Sequence, residues 1–177
     1  MSRAIEQGQA SDGPNYGFFR EHAITAFVLI SDEDDCSALD SSFYDPQNPL
    51  YNDLRTRCSH NPEGLHVVSE YYDLLVQRFL CHGSPLILSG LFGVPIDGRW
   101  SADDPIEDLY ALQQIDPECE CLFPICENNP YWYVLPSPRI ADLVMRFGDD
   151  GYLTSICNED WEGAMMGIAR KIQRYLL

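Results

Sequence analysis

Residues 23–30 (AITAFVLI) form an almost continuous run of apolar, strand-forming side chains with charged residues on both flanks. A strand with one wet face alternates apolar and polar positions. A run that is apolar at nearly every position suits a strand buried on both faces, as in a parallel sheet. Two more runs repeat the signal, at 85–93 (PLILSGLFG) and 152–157 (YLTSIC). Parallel strands need long crossovers, and the intervening segments provide them.

Leu65, Val68, Tyr72, Leu75, Val76 and Phe79 recur at helical spacing and predict an amphipathic helix over 66–80. Ser137 stands where a helix cap belongs, with Pro138 at the first helical position. Ile140, Leu143, Val144 and Phe147 make the stripe of that helix, and Gly148 ends it. Asn158 is the expected cap of a last helix, with Trp161, Met165, Ile168, Ala169, Ile172 and Leu176 as its buried face. Residues 38–64 read as irregular. Residues 94–136 read as a long insertion carrying cysteines, with a short helix near 107–113. Residues 1–16 read as a helix tail and loop. The order strand, helix, strand, helix, strand, helix predicts an α/β fold: a partial doubly wound, Rossmann-like parallel sheet of about three strands, with flanking helices.

Charge narrows the partners. Asp and Glu number 28 against 11 Lys and Arg, a formal net charge of -17. Such a surface repels phosphate backbones, which argues against nucleic-acid binding. No stretch approaches the ~18 apolar residues that a membrane helix needs.

Seven cysteines are present. Their use remains open among disulfides, buried thiols and metal ligation, although the absence of any CxxC pair weighs against zinc. Cys36 and Cys58 flank one irregular loop, so they are expected to lie close together. Cys157 ends a strand at the sheet's carboxyl edge, where the insertion should also sit. It is therefore expected near Cys119, Cys121 or Cys126. The pairs Cys58/His60 and Cys81/His82 would form a thiol–imidazole or zinc site only if the fold brought them together.

Ligands of open parallel sheets bind beyond the carboxyl ends of the strands. Residues 32–35 (DEDD) fall just past the first predicted strand. Neighbouring carboxylates repel unless something positive neutralises them, and Mg²⁺ or Ca²⁺ would do so through oxygen ligands. A solvated turn is the plain alternative. No GxSxG, P-loop, HExxH or GxGxxG motif occurs.

Residues 17–23 (GFFREHA), the apolar run and 31–37 (SDEDDCS) together resemble the middle of bacterial von Willebrand factor A-like proteins. Residues 64–71 (GLHVVSEY) resemble the helix that follows there. Residues 138–151 and 155–161 (SICNEDW) resemble the family's last helix, strand and helix. The resemblance spans about residues 16–176. It implies a doubly wound sheet, a binding or adhesion function, and an extracellular or cell-surface setting. It also implies a metal-ion-dependent adhesion site drawn from three loops: a D-x-S-x-S loop, a Thr loop, and an Asp after the fourth strand.

Only the last of those loops is matched, with Asp32 the best candidate, supported by Asp34 and Asp35. No D-x-S-x-S occurs; Asp40, Ser41 and Ser42 are followed by Phe43 and Tyr44. The expectation is thus the C-terminal half of such a domain, binding Mg²⁺ or Ca²⁺ weakly at most. Its partner would be the missing half, or a second copy, at the edge of strand 23–30. The alternative is a small metal-dependent enzyme built on residues 32–35. The first residues hold no apolar stretch of signal-peptide type. As written, the chain is either cytoplasmic or a piece of a longer protein.

Overall fold

A computed structural model describes residues 5, 8, 11–51, 56–96, 104–119, 121–129 and 132–176, with the side chains of 127–129 and 132 left aside. Three parallel strands form the central sheet: β1 (Thr25–Ile30), β2 (Leu86–Phe92) and β7 (Gly151–Ser155), in the order β1-β2-β7. Thr25 pairs with Leu86 and Ile30 with Leu91; Leu88 pairs with Gly151 and Phe92 with Ser155. The three apolar runs are therefore parallel, as the α/β alternation predicts, and they lie side by side in sequence order.

Between them lie α1 (Arg57–His60), α2 (Val68–Arg78), α3 (Pro105–Ala111), α4 (Pro138–Met145) and, at the end, α5 (Trp161–Gln173). The described part of the insertion holds α3 and two small antiparallel hairpins, β3 (Ile115–Asp116) with β4 (Cys121–Leu122), and β5 (Cys126–Asn129) with β6 (Trp132–Val134). No helix among the described residues is long and apolar enough to cross a membrane.

Helices α2 and α4 cover one face of the sheet. Leu75, Phe79, Leu143, Val144 and Phe147 pack there on Leu86, Leu88 and Phe92, with Phe27 and Leu29 of β1 beside them. Ile5 is also buried in this cluster; most of the helix tail expected over 2–9 lies outside the described residues. Helix α5 covers the other face, where Ala164 and Ile168 pack on Leu91 and Ile156.

Three expectations are corrected. First, β1 is buried on one face only: Thr25, Phe27 and Leu29 turn inward, while Val28 is 42% exposed and Ile30 55%. The reason is topological. β1 has a single neighbour among the described residues, and α5 packs over β2 and β7. Second, the buried face of α5 is rotated. Ala164 and Ile168 are buried, whereas Trp161, Met165, Ala169 and Leu176 are exposed. Gly167 sets this rotation, because a Cβ there would collide with the Tyr152 ring of β7. Third, the expected caps are displaced. Asp160, not Asn158, caps α5 by accepting the Gly163 N–H at 2.8 Å. Ser137 donates its hydroxyl to the Leu135 carbonyl instead of capping α4.

A carboxylate clasp at the carboxyl edge of the sheet

The turn after β1 runs straight into the start of α4. Asp34 takes over the cap that Ser137 leaves open. Its two carboxylate oxygens accept the backbone N–H groups of Arg139 at 3.2 Å and Ile140 at 3.1 Å. Gln113 donates to the same carboxylate at 3.5 Å. The first N–H groups of a helix have no partner within the helix, and its N-terminal end is electropositive, so a carboxylate fits there twice over.

Asp35 binds the Arg139 side chain. The guanidinium donates from Nη2 at 2.9 Å and Nε at 3.3 Å to one carboxylate oxygen, and also to the His66 carbonyl. The other Asp35 oxygen accepts the Ser37 hydroxyl at 2.6 Å. Asp32 contributes through its backbone, where its carbonyl accepts the Leu135 N–H at 2.8 Å. Residues 32–35 are thereby stitched to 135–140.

The Asp34 carboxyl is enclosed although part of the residue reaches solvent. Burial raises its pKa from 3.8 to about 6, outweighing the opposing effects of the helix N–H groups and Arg139. Burial also pushes the Tyr71 and Tyr110 hydroxyls up. A cleft of about 260 Å³ opens beside the clasp, with Tyr110, Gln113, Leu135 and Arg139 among its walls.

Of the residues singled out for a metal, the structure brings Asp34 and Asp35 onto α4 and leaves Asp32 outside that network, its side chain exposed. This donor set does not fit a divalent cation. Two of the three carboxylates already accept from N–H and O–H donors, and a guanidinium stands against Asp35. Among the described residues, no group of three or more His, Cys, Asp or Glu side chains gathers where it would hold a metal ion.

Six cysteines are paired. Cys36–Cys58 has Cα atoms 5.5 Å apart and Cys126–Cys157 6.1 Å, both as the placement of those residues predicts; Cys119 bonds Cys121. The bridge to Cys58 ties the irregular segment to the turn after β1. Within that segment Arg57 is buried, donates to the carbonyls of Phe43 and Asp45, and stacks on Tyr51. Cys81 keeps an exposed thiol at the amino end of β2, the opposite end of the sheet from Cys58. The Cys58/His60 and Cys81/His82 pairs therefore do not meet.

Sequence reasoning missed Arg139. A cation in the first turn opposes the helix dipole, so its position signals that an acid from elsewhere must compensate it. The chain matches no protein-family model, no curated protein and no solved structure.

Proposed function

We propose that the chain is a binding module of the von Willebrand factor A type, present as one half of a doubly wound sheet, whose partner adds a strand beside β1. The observation that carries this is the open edge of β1. The ladder to β2 uses the N–H groups of alternate residues, from Thr25 at one end to Ser31 at the other. The backbone groups of Ala26, Val28 and Ile30 point the other way, with no strand beside them among the described residues.

The side chains of Val28 and Ile30 are exposed and apolar, so edge and face offer a partner both hydrogen bonds and apolar area. Proteins usually blunt such an edge with charge, proline or a bulge, and none interrupts β1. A second copy can occupy the edge only where salt screens the repulsion between copies that each carry a net charge of -17. The clasp on α4 holds the carboxyl end of β1 in place without a metal.

One observation favours a metal-dependent or acid–base enzyme: Asp34 has a raised pKa beside a cleft. Both of its oxygens, however, already accept from the protein's own N–H groups.

The test is sedimentation of purified protein at about 0.05 and 0.5 M salt. Charge repulsion is screened over a few ångströms at the higher value, so the open edge should then drive self-association, and Val28→Lys should abolish it. A wild-type monomer at both salt concentrations, with high thermal stability, overturns the proposal.

A further inference from the structure

A second cleft, of about 310 Å³, opens at the amino-terminal end of the sheet, away from the clasp. Its walls gather Arg20 and His22 from the loop before β1, Arg78 from the last turn of α2, and His82 from the turn before β2. Glu21 is the one carboxylate that the described residues bring to its walls. In a chain with 28 acidic residues and 11 Lys and Arg, this concentration of basic groups runs against the composition.

Among the described residues, the other arginines and the lysine are mostly spent on internal partners. Arg57, Arg139, Arg146, Lys171 and Arg174 each bond a carbonyl or a carboxylate. The side chains of Arg20 and Arg78 make no hydrogen bond or ion pair among the described residues. The negative end of α2 accounts for Arg78. It does not account for Arg20 and His22, which arrive from a different segment.

That segment is held against a conformational preference. His22 lies in the left-handed region with φ 58°, which side chains other than glycine rarely adopt. Its N–H donates to the buried Ser84 hydroxyl at 3.1 Å, which fixes the loop beside the turn carrying His82. Phe19 and Phe79, with ring centroids 5.3 Å apart, form an aromatic wall.

We propose that this cleft binds a small organic phosphate. Two guanidinium groups supply two permanent positive charges and planar pairs of donors, which match a dianion with three terminal oxygens better than a carboxylate with two. His22 and His82 add imidazole donors, and the Phe19–Phe79 wall receives the apolar or aromatic part of the molecule. The site is independent of the β1 edge.

Calorimetry and NMR titration of the full chain test this, with phenyl phosphate, inorganic phosphate and benzoate as probes at constant ionic strength. Phenyl phosphate should saturate one site and bind more tightly than the other two, with shift changes centred on residues 19–22 and 78–84. Arg20→Gln and Arg78→Gln should each weaken it roughly tenfold, the size of one charge-assisted hydrogen bond. Arg170→Gln, an exposed arginine on α5, should leave it unchanged. Benzoate binding as tightly as phenyl phosphate, an equal loss in Arg170→Gln, shift changes centred elsewhere, or no saturation each overturn the proposal. The shift map on the wild-type chain decides the matter even if a variant fails to fold.

Discussion

Replacing Asp34 with asparagine removes a titrating group from the clasp and should change how stability depends on pH. The folded pKa of about 6 lies above the unfolded value of 3.8. Between those values the folded chain keeps a proton that the unfolded chain has released. Stability from this group is therefore full below about pH 4 and lost as pH rises through about 6. Over the interval from pH 4.5 to 7, linkage gives a loss of about 2 kcal/mol.

The substituted amide does not titrate, and it can accept only one of the two helix N–H groups, so the variant also carries a constant penalty of about 1–2 kcal/mol. That constant cancels when each protein is compared with itself at two pH values. Urea denaturation of wild type and Asp34→Asn at pH 4.5 and 7.0 gives the double difference. Wild type should lose about 2 kcal/mol more than the variant on going to pH 7. Equal losses would refute the claim that burial dominates the Asp34 environment.

Arg139→Met keeps most of the side-chain volume but strands Asp35 and the His66 carbonyl; a loss of about 1–3 kcal/mol is expected in denaturant melts, and Arg139→Lys should recover only part of it, since an ammonium cannot bond Asp35 and the carbonyl through one planar fork. Replacing Cys36 and Cys58 together with serine should cost about 3 kcal/mol, because that bridge spans 22 positions, whereas replacing Cys119 and Cys121, two positions apart, should cost much less. Mass spectrometry after alkylation of the oxidised, non-reduced protein should find a single modified cysteine, Cys81. Calorimetry with Mg²⁺ and Ca²⁺ should detect nothing tighter than roughly millimolar; a micromolar, stoichiometric site would mean that Asp32, Asp34 and Asp35 rearrange around an ion.

The sheet was legible because its signals are local. Each strand is an apolar run, and each crossover carries its own helical stripe, so the parallel direction follows without long-range information. The bridges Cys36–Cys58 and Cys126–Cys157 were legible because they join segments that the topology already places at one edge. The clasp was not. Asp34 meets Arg139 across 105 positions of sequence, and a run of acids after a strand reads equally well as a metal loop, a wet turn or a cap.

The half exposure of β1 was hidden for a different reason. An apolar run fits a strand covered on both faces, and it fits equally a strand whose second cover lies elsewhere. The rotation of α5 had a signal that went unused: Gly167, a small residue on an otherwise bulky helix, marks the side where the helix meets Tyr152.

Amide hydrogen exchange along β1, followed residue by residue in the monomeric protein by NMR, tests the open edge most directly. The N–H groups of Phe27 and Leu29 bond β2 in this register, and those of Ala26, Val28 and Ile30 face outward. The account predicts alternation, with slow exchange at Phe27 and Leu29 and fast exchange at Ala26, Val28 and Ile30. Uniform slow exchange at all five positions in the monomer would contradict it, because the edge offered to a partner would already be filled.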